Sequence, residues 1–100
     1  MEKTQEKGTG ETIFVKSSTS VKGLATCIMA EANNPEVDVV KIRGIGAGAN
    51  NQMTKAIIVA KGKLSAIGVG VNLDVYFKNV ESSHSNDTIS AIEYSLLLIK

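Results

Sequence analysis

Aromatic residues are scarce in this chain, and tryptophan is absent from it. A protein that stacks the bases of single-stranded nucleic acid usually exposes several aromatic side chains. The four aromatic residues all fall in strand-like runs, where packing in the core is their expected role: Phe14, Tyr76, Phe77 and Tyr94. The sequence therefore gives no direct sign of a base-stacking surface.

Cysteine and histidine occur once each, which leaves little for covalent or metal chemistry. The single Cys27 excludes an intrachain disulfide, and its place on an apolar helix face predicts burial beside Val21, Leu24 and Ile28. A nucleophilic pair of Cys27 with His84 is a remote alternative, because His84 lies in a polar loop far along the chain. The sequence holds no cluster of metal-ligand residues, so we expect no metal, no cofactor and no catalytic residues.

Charge is nearly balanced, with a formal net charge of +1. Proteins dedicated to nucleic acid are usually more basic, so contacts with phosphate would require local clustering of cations. Lys16 and Lys22 at the start of the first predicted helix could form a basic face with Arg43 and Lys55 at the start of the second. Arg43 is the only arginine, which limits bidentate recognition of guanine. The apolar runs are too short to cross a bilayer and no signal peptide is evident, so we expect a cytoplasmic protein without membrane contact.

Hydrophobic periodicity predicts one domain over residues 12–100, after a disordered tail at residues 1–11. A short strand at 12–16 leads to a helix that Ser20 or Thr19 caps and that ends before Pro35. A strand rich in Val and Ile then follows at 36–43.

The second half of the chain predicts a longer helix at about 50–63, with Gly62 marking its end. A half-buried strand at 69–77 and a long strand at 88–99 form a hairpin around a polar turn at 81–87. The order β-α-β-α-β-β predicts an α/β fold of the two-layer α+β kind, a four-stranded mixed sheet with two helices on one face.

A glycine-rich segment, G-I-G-A-G-A-N-N-Q at 44–52, lies between the second strand and the second helix. Glycines turn sharply, and a helix start presents unpaired N–H groups, so the segment is a generic site for phosphate or another anion. The alternative, which spacing alone favours, is that small residues only let a loop and a helix pack closely against the sheet. Asn50 or Asn51 would then cap the helix.

Apolar residues exceed what a small two-layer domain can bury. The last strand is apolar on both faces near its end, and Ile58 and Val59 lie outside the main stripe of the second helix. This surplus predicts a homodimer or a higher oligomer. The alternative is a central strand covered on both sides within the monomer.

Several motifs occur in an order that resembles the stage V sporulation protein S family, a bacterial group with an Alba-like fold. They are V-K-S-S at 15–18, S-V-x-G-L-A at 20–25, I-G-A-G-A-x-N-Q-x-x-K-A at 45–56, A-K-G at 60–62 and V-x-L at 71–73. The resemblance covers about residues 12–100. It implies the same β-α-β-α-β-β fold and a regulatory role in sporulation rather than an enzymatic one.

Alba-like proteins are dimers that bind DNA or RNA, and by that analogy two loops of this chain contact phosphates. The implied binding residues, with their neighbouring cations, are Lys16, Ser17, Ser18, Lys22, Arg43, Gly46, Gly48, Asn50, Asn51, Gln52 and Lys55. We expect Lys16 and Arg43 to be exposed. The hairpin tip departs from the pattern, because it carries Glu81 and Asp87 and lacks Lys and Arg.

The leading hypothesis is therefore a dimeric nucleic-acid-binding regulator. The alternative is a non-enzymatic module that binds a small phosphorylated ligand or a protein partner through Asn50, Asn51 and Gln52. An enzyme lacks a credible catalytic set. Asp74 and Glu93 are expected near each other on paired strands, but two carboxylates without a pocket are typical of solvated charges.

Overall fold

The computed structural model describes residues 8–81 and 88–100, with the side chains of Glu81 and Thr88 left aside. Its elements follow the predicted order: β1 (Ile13–Val15), α1 (Val21–Ala32), β2 (Val39–Gly44), α2 (Ala47–Ala66), β3 (Gly70–Glu81) and β4 (Thr88–Ile99). Within the predicted tail, residues 1–7 lie outside the described part. Gly10 donates its backbone N–H to the carbonyl of Val39 at 3.0 Å, so residues 8–10 run beside the start of β2. His84 and the predicted turn beyond Glu81 also lie outside the described residues.

The sheet has the strand order β1-β2-β4-β3, and this confirms a four-stranded mixed sheet. β1 is parallel to β2, whereas β4 is antiparallel to both β2 and β3. The second crossover therefore does not join neighbouring strands, because β4 lies between β2 and β3. Both helices cover one face, where Leu24, Ile28 and Met53 pack against Ile42 and Leu96.

Helix α1 begins where the sequence predicts, since the Oγ of Ser20 accepts the N–H of Gly23 at 3.0 Å. Its buried stripe consists of Leu24, Ala25, Ile28 and Ala32. The prediction that Cys27 lies in the core is wrong, because Cys27 is exposed. At about 100° per residue, it lies more than a quarter turn from the middle of that stripe.

Helix α2 begins at Ala47, three residues earlier than the sequence predicts, so the glycine-rich segment forms its first turn. Gly46 is the N-cap with a φ of 93°, a left-handed conformation that favours glycine. No side chain caps this end, so the alternative role of Asn50 or Asn51 as a helix cap does not occur. The helix also continues past Gly62, because buried residues recur at helical spacing from Ala49 to Leu64.

The hairpin extends beyond the area that the helices cover. Leu96 and Leu98 of β4 are buried under the helices, but Leu73, Val75 and Phe77 of β3 are exposed on the same side of the sheet. The prediction of a half-buried β3 is therefore wrong for its distal half. Two aromatic residues expected in the core, Phe14 and Phe77, are also exposed.

β3 is an edge strand of the sheet. On this strand, Val75 donates its backbone N–H to Oδ1 of the adjacent Asp74 at 3.0 Å. A local bond of this kind occupies a donor that would otherwise be open to another strand.

The first turn of α2 packs against the loop that follows β1. A Cβ added at Gly48 would lie 2.6 Å from the Cβ of Ser17, and one added at Gly44 would lie 2.8 Å from the Cβ of Ala49. Contacts this short require glycine at both positions. Close packing of small residues thus does occur in this segment, as the alternative interpretation expects.

The substitution Gly48→Ala should lower the free energy of unfolding by about 1–3 kcal/mol, because the new methyl group must displace Ser17. The matched control is Gly62→Ala in the same helix. Among the described residues nothing lies within 4 Å of a Cβ built there, so this change should raise stability by about 0.5–1 kcal/mol. Urea unfolding of both variants checks the pair, and equal effects would contradict the packing described.

Candidate nucleic-acid interface

The loop from Lys16 to Ser20, between β1 and α1, is closed by a turn. The N–H of Lys16 donates to Oγ1 of Thr19 at 2.8 Å, and the N–H of Thr19 donates back to the carbonyl of Lys16 at 3.0 Å. The side chains of Lys16, Ser17 and Ser18 are exposed on this turn. The turn therefore presents one ammonium group and two hydroxyl groups to solvent.

The same loop lies against the start of α2. Gln52 donates through Nε2 to the carbonyl of Thr19 at 2.8 Å, while Gly48 lies against Ser17. Two segments that are about 30 residues apart in the chain thus form one surface. We call this surface the loop face, and it consists of Lys16, Ser17, Ser18, Gly46, Gly48 and Asn51.

The polar residues of α2 differ in their availability. Tyr94 donates its hydroxyl to Oδ1 of Asn50 at 2.9 Å, and Gln52 is committed to the loop, so both side chains have structural partners. Asn51 is exposed and bonds weakly to Gln52 at 3.4 Å. Lys55 is exposed on α2, and Lys22 is exposed on the first turn of α1.

Arg43 does not lie where the sequence predicts, because it is largely covered. Its Nε bonds Oε1 of Glu93 at 2.7 Å, with side-chain exposures of 19% for Arg43 and 1% for Glu93. Tyr76 donates its hydroxyl to Oε2 of the same carboxylate at 2.6 Å. The expectation of an exposed Arg43 is wrong because the register of β2, β4 and β3 places these residues in one row.

This row lies on the sheet face opposite the helices, since the side chains of Val40 and Ile42, which alternate with Arg43 along β2, lie in the core. Asp74 pairs with Ser95 rather than with Glu93, so the two carboxylates do not face each other. The signal that sequence reasoning missed is a single acidic residue, Glu93, within the apolar strand β4. A charge there requires partners on the neighbouring strands.

The pKa values of the row follow from its burial and hydrogen bonds. Burial raises the pKa of the Glu93 carboxyl, but the bonds from Tyr76 and Arg43 and the nearby positive charges outweigh it, so the pKa lies below its ordinary value. Burial and the bond to Glu93 raise the pKa of Tyr76 to about 12. At neutral pH the row thus holds an ionised carboxylate between a guanidinium group and a neutral phenol.

A cavity of about 450 Å³ opens beside the row. Its lining comes from the ends of β1 and β2, from the loops that follow them and from the hairpin: Phe14, Val15, Lys16, Ser17, Arg43, Gly44, Ile45 and Val80. Phe14 is 69% exposed, and its ring centroid lies 5.3 Å from the guanidinium carbon of Arg43. Sequence reasoning placed Phe14 in the core and gave Ile45 no role, because the strand pattern does not show which face the helices cover.

Across residues 8–81 and 88–100, no group of three or more His, Cys, Asp and Glu side chains is arranged to hold a metal ion. In that same part of the chain, no helix is both long and apolar enough to span a membrane.

The variant Glu93→Gln should reduce the acid sensitivity of the protein. The folded-state pKa of Glu93 is depressed, so its stabilising effect is complete above the ordinary carboxyl pKa and is lost as the pH falls through the depressed value. The parent should therefore lose more stability in acid than the variant does. At neutral pH the variant should be about 1–3 kcal/mol less stable, because Arg43 loses its charged partner.

Urea unfolding over a series of pH values measures this difference. Glu36→Gln is the control for the loss of one negative charge, since Glu36 is exposed and lies outside the sheet. Parallel slopes for Glu93→Gln and the parent would contradict the assignment.

The fold is similar to that of Alba from Thermoplasma volcanium, with a TM-score of 0.51. The two chains are 17% identical, and the match covers 87% of this chain and 99% of the Alba chain. A likeness at this identity concerns the fold alone, and it confirms the Alba-like architecture. No curated protein matches the chain.

The sequence matches the family model of Stage V sporulation protein S over residues 11–98. This range includes all six elements except the last residue of β4, and it contains the loop face and the buried row. The motifs quoted above fall within it. The chain therefore belongs to the stage V sporulation protein S family.

Proposed function

We propose that this protein is a small nucleic-acid-binding regulator of sporulation that acts as a dimer and binds phosphates through the loop face. One observation carries the proposal, the contact between the β1–α1 loop and the first turn of α2. That contact places Lys16, Ser17 and Ser18 beside the open end of a helix. The family is named for sporulation, which supports the regulatory role.

The chemistry of the loop face suits a phosphate group. Helix α2 has 20 residues, no side-chain cap and no acidic residue in its first turn, so its N-terminal N–H groups and dipole favour an anion. The ammonium group of Lys16 and the hydroxyl groups of Ser17 and Ser18 add charge and hydrogen bonds at the same edge.

The expected number of phosphate contacts is small. Arg43 is neutralised by Glu93, and the formal net charge of the chain is +1. Each phosphate contact contributes about 0.7–0.9 to the slope of log affinity against log salt concentration. Binding through the loop face should therefore depend on salt only modestly.

Replacing Lys16 by Gln should weaken binding to DNA or RNA at low salt and reduce the salt slope by about one unit. Lys61→Gln is the matched control, because it removes the same charge from an exposed position towards the other end of α2. Fluorescence anisotropy with labelled duplex and single-stranded DNA and RNA measures both quantities.

Equal losses in the two variants would mean that net charge, not the loop face, drives binding. If the parent binds no nucleic acid at low salt, nucleic-acid binding is wrong. The remaining function is then a module for a small phosphorylated ligand or a protein partner, which the same exposed groups would serve.

Self-association is the second part of the proposal. Ile58 lies four residues after Thr54, whose hydroxyl is 2.9 Å from that of Tyr94, so Ile58 is on the side of α2 next to the hairpin. Tyr94 pairs with Val75, which is exposed between Leu73 and Phe77. We call Ile58, Leu73, Val75 and Phe77 the apolar face, and a second copy of the chain is its proposed partner.

The role of the last strand differs from the sequence prediction. Leu96 is completely buried under the helices, so it stabilises the monomer and is not available to a partner. Leu97 and Ile99 are exposed, but they point to the opposite face of the sheet. The proposed contact therefore involves α2 and β3.

Ile58→Lys should convert the dimer to a monomer without unfolding it, because Ile58 is 65% exposed in the single chain. Sedimentation velocity gives the oligomeric state, and circular dichroism verifies the fold. Ile67→Lys is the control: Ile67 is 62% exposed but lies beyond the end of α2 and about half a turn round from Ile58. A parent that is monomeric at micromolar concentration would remove this part of the proposal.

A further inference from the structure

We propose that Phe14 stacks on a nucleobase splayed out of a single strand, which enters the cavity beside it, while Lys16 and Ser17 hold the adjoining phosphate. The inference rests on the proposed nucleic-acid binding and narrows it to single-stranded DNA or RNA. Two observations support it: the cavity lined by the loops after β1 and β2, and the solvent-exposed ring of Phe14.

One face of the Phe14 ring is supported by Arg43. The guanidinium group of Arg43 lies 5.3 Å from its centroid, and Arg43 is fixed in turn by Glu93. Glu93 is buried and receives a second hydrogen bond from Tyr76. Because a fixed cation supports one face of the ring, the ring loses little conformational freedom when a planar partner stacks on its other face. This favours stacking.

The cavity matches a nucleotide in size and in polarity. Its volume of about 450 Å³ lies within the range of small-molecule sites. The walls are apolar, from Phe14, Val15, Ile45 and Val80, whereas Lys16, Ser17 and Arg43 make the rim polar, with Lys16 as its unpaired cation among the described residues. Among the residues of the described part that line it, none is acidic. An apolar site with a cationic rim complements a base joined to a phosphate.

A single strand fits this site better than a duplex does. The bases of a duplex are stacked on one another, so a protein ring reaches them only if they are unpaired or flipped out. Arg43 is poorly placed to read guanine edges in a groove, because its Nε is bonded to Glu93 and its side chain is only 19% exposed. Since the lining of the cavity offers few cations, stacking must supply part of the affinity, and stacking itself releases no counterions.

The variant Phe14→Trp tests the site directly, because the natural chain has no tryptophan. Its indole emission should change when a short single-stranded oligonucleotide is added, and it should saturate at the same concentration as the anisotropy of a labelled oligonucleotide. A duplex of the same sequence should leave the emission nearly unchanged.

The variant Phe14→Leu retains an apolar side chain and removes the ring. Its affinity for single strands should fall roughly tenfold or more, with the salt slope unchanged, because a stacked base is lost and no phosphate contact is. Ile67→Ala is the control for loss of an exposed apolar side chain, since Ile67 is 62% exposed, follows the end of α2 and lies outside both the cavity lining and the apolar face. Circular dichroism verifies that each variant is folded.

The outcomes separate this inference from the function on which it rests. If the parent binds no nucleic acid at low salt, the proposed function is wrong and the stacking site with it. If the parent binds but Phe14→Leu binds equally well and the indole emission does not respond, only the stacking site is overturned. An equal emission change with duplex would overturn the preference for single strands. If the indole emission changes on dilution without nucleic acid, a second copy of the chain occupies the cavity, and the stacking site is overturned.

Discussion

The buried carboxylate of Glu93 determines how the face of the sheet opposite the helices is arranged. A charge that is 1% exposed requires hydrogen-bonding partners, and the register of the strands supplies Arg43 from β2 and Tyr76 from β3. These bonds connect three of the four strands through side chains. They also decide which groups remain for a partner, because the only arginine is occupied and the ring of Phe14 rests on it.

A second constraint is the closeness of α2 to the sheet and to the β1–α1 loop. Gly44 and Gly48 make this approach sterically feasible, and Gly46 provides the left-handed turn that starts the helix. The same residues keep side chains away from the helix N-terminus. Close packing and an uncapped helix N-terminus both follow from one glycine-rich segment, so the two interpretations of its spacing are compatible.

The order of the elements and the bounds of β4 were predictable because hydrophobic periodicity is local information. The start of α2 was not, since glycine and asparagine favour a loop by propensity, whereas burial of Ala49 and Met53 extends the helix. The pairing of Arg43 with Glu93 depends on β4 lying between β2 and β3, and no local pattern encodes that order. Phe14 was misplaced for a related reason, because alternation in a strand does not show which side the helices cover. The position of Lys16, Ser17 and Ser18 in an exposed loop was predictable because loop positions follow from the element order.

The bond between Asp74 and the backbone of Val75 bears on how many copies of the chain come together. An edge strand with open donors acts as a template, so each added chain exposes a new edge and assembly does not end. Here the carboxylate fills one such donor position on β3. Growth of the sheet by strand addition at β3 is thereby opposed, and the self-association proposed above uses side chains on a face instead. Contact of that kind between two identical surfaces is self-complementary, so it closes on itself as a finite assembly and not as a fibre.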